Sequence, residues 1–243
     1  MKPTLHKADG DLADVAGPLF VSAILETIEQ TGRCRVGLSG GSTPASTMRH
    51  LAARLPMATY QKLLITFVDE RAVMPNHADA NYRLADTHWF SQVDAAPRVL
   101  PMYTGGGLAD ARAQFSRRFA ADFDSGLDVV LLGVGGDGHI GSLFPGRPQL
   151  DSDRLCETIT DSPKPPPQRL TLTLPVISAS RFIAVLARGE GKAAPLGAVW
   201  GGDVALPLGR LTPSGQYHWI VDAAAAANLP EGEFSTENRL ENQ

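Results

Sequence analysis

The chain has 243 residues, 43% of them apolar and 20% charged, and its 22 Lys and Arg against 26 Asp and Glu leave a net charge of −4. This balance supplies a sizeable core and excludes a disordered chain. It gives no global attraction to nucleic acid or to an anionic membrane, so an anionic ligand must be gathered by a local group of cations and backbone N–H groups.

The opening residues, MKPTLHKADGD, carry no apolar export signal. No stretch approaches the roughly 20 apolar residues of a membrane span. Cys34 and Cys156 fit neither a CxxC nor a zinc spacing. A cytoplasmic protein with reduced thiols is the expectation. Leu12, Val15, Leu19, Ala23 and Ile24 recur at helical spacing and predict a buried helical face, stopped at Thr31-Gly32. A short strand over 35–38 runs into SGGSTP (39–44), and Pro44 suits the first turn of a helix over 45–55. LLITFVDE (63–70) reads as one buried strand ending in acids. The loop RAVMPNHADA leads into a helix carrying Tyr82, Leu84 and Trp89, and another helix covers 109–123. LDVVLLG (127–133) is the strongest strand signal and runs into GVGGDGHIGSLFPG. SPKPPP (162–167) reads as a stiff connector. Strands follow at 169–174, 181–187 and 217–222, with helical segments near 190–199 and 222–228 and a surface loop over 200–215. This alternation predicts an α/β fold: a single domain over 1–243 with a mainly parallel, doubly wound, Rossmann-like sheet flanked by helices.

Ligands of such sheets bind beyond the carboxyl ends of the strands. At SGGSTP, Gly40 and Gly41 permit close backbone approach, and Ser42 and Thr43 can cap the helix while donating hydroxyls, at a helix start whose N–H groups suit a phosphate; an ordinary N-cap with a flexible turn is the plainer alternative. No Gly-Lys-Ser/Thr follows, which excludes a Walker A loop. Residues 37–41 match G-x-S-x-G literally, but the helix starts several residues after Ser39 and no HGGG-type oxyanion loop precedes it. Residues 133–138 match a dinucleotide fingerprint literally, but Pro145 ends any helix behind it within two turns. These glycines instead aim Asp137 and His139 into the crevice, where a neutral imidazole can take a proton from water. Asp69-Glu70-Arg71 offers a fixed cation in Arg71 and a carboxylate to orient His139, while Asp137 is equally suited to serving the loop backbone. Arg169 and Lys192, taken singly, read as solvated surface residues.

In their order along the chain, SGGSTP (39–44), FVDERAV (67–73), NHADANY (76–82), LDVVLLGVGGDGHIGSLFPG (127–146), SPKPPPQRLTLTLPVI (162–177) and GEGKA (189–193) resemble the 6-phosphogluconolactonase family, within the glucosamine-6-phosphate isomerase/deaminase-like fold. The related deaminases resemble DGHIAFNEPG at the histidine turn and DEY at the second strand. Here Leu143-Phe144 replaces Asn-Glu and Arg71 follows Asp69-Glu70, both lactonase-like; Ile140 after the histidine is deaminase-like. The resemblance implies hydrolysis of 6-phospho-D-glucono-1,5-lactone to 6-phosphogluconate, the second step of the oxidative pentose phosphate pathway. It implies His139 as base with Asp137 and Arg71 in support, and Gly40, Gly41, Ser42, Arg169, Lys192 and Asp69 around the substrate and its phosphate. It implies no metal and no cofactor. The expected partner is a small phosphorylated sugar lactone, with no nucleic acid or membrane, for a monomer or weak homo-oligomer.

Overall fold

The computed structural model describes residues 1–124 and 126–235; the last eight residues of the predicted domain lie outside the described residues. Its elements in chain order are β1 (Thr4–Ala8), α1 (Ala13–Thr31), β2 (Cys34–Leu38), α2 (Ser42–Arg54), β3 (Leu63–Phe67), β4 (Asp69–Arg71), α3 (Asn81–His88), β5 (Arg98–Val99), α4 (Leu108–Phe123), β6 (Val129–Gly133), β7 (Cys156–Ile159), β8 (Arg169–Leu172), α5 (Leu174–Ser178), β9 (Phe182–Ala187), α6 (Ala193–Trp200) and β10 (Gln216–Asp222). Seven strands form a parallel sheet in the order β1-β10-β9-β6-β2-β3-β5. From β2 the chain winds outward through β3 to β5, and from β6 it winds the other way through β9 and β10. The switch point therefore lies between β2 and β6, where such sheets open a crevice. Strands β3 and β9 are buried along their whole length, as strands covered on both faces must be.

The doubly wound parallel sheet agrees with the sequence reading; several details differ. The run 63–70 is two strands, not one. Val68 donates its N–H to Leu38 of the large sheet and accepts the Leu172 N–H with its carbonyl, so the chain passes there into a second sheet. That sheet is antiparallel, in the order β4-β8-β7, and it takes the predicted strand at 169–174. Strand β1 was not foreseen; it pairs at the edge with β10. On α1 the fully buried stripe is Ala16, Phe20, Ala23, Ile24 and Ile28, with Val15 and Leu19 only half-buried. The helical segment near 222–228 is only a 3₁₀ turn at Ala225–Asn228. The loop 200–215 is not all surface: Leu208 is buried, and its N–H donates to the Gly138 carbonyl at 3.1 Å. Both cysteines are buried and free, and burial pushes the Cys156 thiol up to about 12, leaving it without nucleophilic character near neutrality. Among the described residues, no helix is long and apolar enough to cross a membrane.

The strands flanking the switch point are tied at their amino ends by one buried carboxylate. Asp128, 1% exposed, accepts from the Arg35 backbone N–H at 2.9 Å and from its guanidinium at 2.9 and 2.8 Å. The Asp128 carbonyl also accepts the Phe182 N–H, linking β9. Asp128→Ala strands the Arg35 donors in a largely dry position. It is expected to lower the unfolding free energy by about 3 kcal/mol, read as a lower denaturant midpoint at unchanged slope. A loss of a few tenths of a kcal/mol, as for an exposed ion pair, would contradict this assignment.

Candidate functional site

A cavity of about 470 Å³ opens at the carboxyl ends of β2, β6 and β9, with β4 and β8 along one side. The turn after β6 supplies its acid–base groups. The Gly135 N–H donates to the His139 carbonyl at 2.8 Å, and the Gly138 N–H donates to the Gly135 carbonyl at 3.0 Å. This tight reversal needs glycine twice. Gly138 sits at φ +77°, and a Cβ on Gly135 would lie 2.0 Å from His139 Nδ1 and 2.5 Å from Asp137 Oδ1. The result is a 2.5 Å contact between Asp137 Oδ1 and His139 Nδ1. The same carboxylate oxygen also accepts the His139 backbone N–H at 3.3 Å. Both roles left open by the sequence are thus filled by one residue. The Phe144 ring packs on the imidazole with centroids 4.7 Å apart, in the position where the deaminase-like turn has a carboxylate.

Burial pulls the His139 imidazole below its ordinary value, and the charge and hydrogen bond of Asp137 resist that pull. For Asp137, burial acts upward but is outweighed by His139, so its carboxyl lies below the usual range. At neutral pH the pair is therefore carboxylate and neutral imidazole. With Nδ1 engaged by Asp137, Nε2 has no protein partner among the described residues.

Neither acid of Asp69-Glu70 orients His139, contrary to that expectation. Glu70 is buried and caps α3, accepting the N–H groups of Asn81 and Tyr82 and also that of Arg71, each at 2.8 Å. Burial pushes its carboxyl up to about 7, although the three N–H groups act the other way. Asp69 accepts the Ser142 hydroxyl at 2.6 Å and lies 3.8 Å from Arg169. Arg71 lines the cavity and donates to the Asp79 carbonyl. Its Nε is buried without a partner.

Gly40, Gly41 and Ser42, where α2 begins, line the cavity too, next to Asn81 and Arg71. Gly41 has φ +108°, and a Cβ on Gly40 would fall 1.8 Å from Asn81 Oδ1. No side chain caps α2, so its first N–H groups have no side-chain acceptor. Lys192 lines the same space, its ammonium pulled below the ordinary value first by burial and then by Lys164. Arg169 lines it too, but is 4% exposed and spends most of its donors on the protein. The sequence reading missed Lys164, Asn81, Ser142 and Arg188. All but Arg188 lie inside motifs that resemble the family, Lys164 in SPKPPPQRLTLTLPVI, whose Pro-rich start also reads as a connector. Arg188 carried no signal. Ser39 is buried and makes no contact with His139, which removes the nucleophile-elbow reading. Among the described residues, no group of three or more His, Cys, Asp and Glu could hold a metal ion.

The family described as glucosamine-6-phosphate isomerases/6-phosphogluconolactonase matches residues 7–219. The chain belongs to that family. Among curated relatives, it is 40% identical to 6-phosphogluconolactonase of Rattus norvegicus over 209 residues, covering 82% of this chain and 81% of the relative. It is 35% identical to 6-phosphogluconolactonase of Mycobacterium tuberculosis over 233 residues, covering 90% and 94%. The fold matches 6-phosphogluconolactonase from Thermotoga maritima with TM-score 0.84 at 23% identity, over 91% of this chain and 100% of that one. It also matches a monomeric glucosamine-6-phosphate deaminase with TM-score 0.78 at 20% identity, over 93% and 99%. A lactonase and a deaminase structure thus share this fold.

The steric demand at Gly135 can be tested directly. Gly135→Ala forces its Cβ into the Asp137–His139 contact, with the protein otherwise folded. Turnover is expected to fall by about 10- to 100-fold with a native circular dichroism spectrum. Unchanged turnover would mean that the contact is not needed.

Proposed function

We propose that this chain hydrolyses 6-phospho-D-glucono-1,5-lactone to 6-phosphogluconate by general-base catalysis at His139. The observation that carries this reading is the 2.5 Å Asp137–His139 pair, whose imidazole opens into a cavity edged by cations and by the start of α2. The activity is the one named for the relatives in the same family.

The chemistry follows from which atoms are free. Asp137 holds His139 by Nδ1, so Nε2 faces the task of accepting a proton. It takes one proton from water while the water oxygen bonds to the lactone carbonyl carbon. The tetrahedral oxyanion is stabilised by nearby positive charge, for which Arg71 is the candidate on the β4 side. Collapse of the intermediate breaks the bond to the ring oxygen. The imidazolium returns its proton to that oxygen, giving a hydroxyl at one end of the opened chain and a carboxylic acid at the other. The acid then ionises to water.

The phosphate binds against Gly40, Gly41 and Ser42 at the N-terminus of α2, with Lys192 and the remaining Arg169 N–H. Asp69 shapes the cavity through Ser142 and Asn81 rather than by touching the reacting carbonyl. Fixing the phosphate holds the carbonyl near the base and converts an encounter into a positioned reaction.

His139→Ala is expected to lower kcat by about 10²–10⁴-fold on freshly made lactone, after subtraction of spontaneous hydrolysis. Wild-type turnover in that variant would sink the base assignment. The pH dependence has a definite sign. Neutral His139 is the active form and its folded value is lowered, so the acid limb of kcat/KM should fall below the ordinary histidine value of 6.5. Asp137 holds that value up, so Asp137→Asn should lower kcat and move the acid limb to still lower pH. A move to higher pH would show that another group titrates.

A further inference from the structure

We propose that Lys164 is a specificity-determining cation for the phosphate, and that buried Arg169 is the positioning residue that presents it. This rests on the lactonase reading above and names a residue of the same site.

The segment 162–167 is folded tightly: the Ser162 N–H donates to the Pro167 carbonyl at 3.0 Å, and the Lys164 N–H donates to Ser162 Oγ at 3.3 Å. Arg169 then grips three successive carbonyls. One of its terminal nitrogens donates to Lys164 at 2.8 Å and to Pro165 at 3.3 Å, while Nε donates to Pro166 at 3.0 Å. Its other terminal nitrogen donates to Ser142 Oγ at 3.3 Å, and Ser142 is anchored on Asp69. A guanidinium offers five N–H groups in a fixed fork. Four are occupied here by protein acceptors, leaving at most one for a ligand.

The grip has a consequence for the Lys164 side chain. Lys164 lines the rim of the cavity with Lys192, and neither ammonium has a carboxylate partner among the described residues. Two like charges on one cavity, neither held in an ion pair, form a site for a multiply charged anion. A sugar phosphate carries about −1.5 to −2 near neutrality, which two ammonium groups match and one does not. Lys164 lies near enough to both groups to act on them, lowering His139 as well as Lys192, in each case after burial. A lysine suits this task because its long stem moves with the anion while its backbone stays fixed.

The test compares wild type, Lys164→Ala, Arg169→Gln and the double variant. Each is assayed on 6-phosphogluconolactone and on unphosphorylated glucono-1,5-lactone, and each is titrated with 6-phosphogluconate by calorimetry. Lys164→Ala, at an exposed rim position, is expected to fold normally. It should lower the preference for the phosphorylated lactone, as the ratio of kcat/KM values, by about 10- to 100-fold. It should weaken 6-phosphogluconate binding by a similar factor. It should also move the acid limb of the pH profile upward, because a positive charge near His139 is removed. In the double variant the Arg169→Gln loss should be largely absorbed into that of Lys164→Ala. An unchanged preference and unchanged product affinity in Lys164→Ala would overturn the proposal. Full additivity would overturn the positioning role of Arg169. If Arg169→Gln fails to fold, Lys164→Ala alone still decides the first part. Failure of the lactonase reading would appear separately, as a wild-type chain that binds the product but does not open the lactone.

Discussion

The contact between Asp137 and His139 exists because the backbone from Gly135 to Gly138 reverses tightly enough to bring together two side chains only two residues apart. Neighbours at that spacing do not ordinarily face each other. Here a missing Cβ at Gly135 leaves the imidazole its place, and a left-handed Gly138 closes the reversal. The turn is then held from outside by Leu208, whose N–H donates to Gly138. Burial by itself would leave His139 a weaker base in a drier pocket. The adjacent carboxylate offsets part of that loss, fixes the tautomer and leaves a single ring nitrogen for chemistry.

The two sheets divide the remaining work. The large parallel sheet creates the crevice, because winding reverses between β2 and β6, and it delivers the start of α2 and the histidine turn to the same rim. The small antiparallel sheet stands beside that rim and supplies a dense polar wall: Asp69, Ser142 and Arg169 joined by short contacts, and Glu70 closing the start of α3. Val68 joins the two by spending its N–H on one sheet and its carbonyl on the other. The break at Val68 thus puts Asp69, Glu70 and Arg71 beside the cavity rather than at the end of a longer core strand.

The sequence conveyed the parallel sheet well, because strands covered on both faces read as unbroken apolar runs, as 129–132 and 182–187 do. It conveyed the small sheet poorly. RLTLTL alternates polar and apolar, the pattern of a strand with one wet face, yet Arg169 and Thr171 are buried, because both bond to Ser142 in the loop after the histidine. The run 63–68 is apolar up to the crossover and the acids after it read as the end of the same strand, so composition gave no sign of the break. For the site, residues inside Gly-rich strand ends were legible from chemistry: His139, Asp137, Gly40 and Gly41. The partner of His139 was not, because spacing cannot say whether two side chains converge. Lys164 was hidden by its own neighbours, since a Pro-rich run suggests a spacer. Only the Arg169 contacts reveal that it is clamped against the cavity.

The charge distribution explains how a chain of net charge −4 handles an anionic substrate. The positive groups Lys164, Lys192 and Arg188 line the same cavity as His139, so the local charge that meets an anion differs in sign from the chain's net charge. The phosphate is not consumed in the reaction, and its contacts are nearly the same before and during ring opening. Such contacts strengthen binding without by themselves lowering the chemical barrier. Their catalytic value lies in placement: a phosphate locked at one end removes the freedom of the carbonyl at the other. Barrier lowering must then come from groups whose interaction changes as charge develops. In the mechanism we propose, those groups are His139, which gains a proton beside a waiting carboxylate, and Arg71, which meets a growing oxyanion. The clamp on Lys164 and the reversal at Gly135 are accordingly two versions of one solution, in which backbone geometry fixes a charged group before substrate arrives.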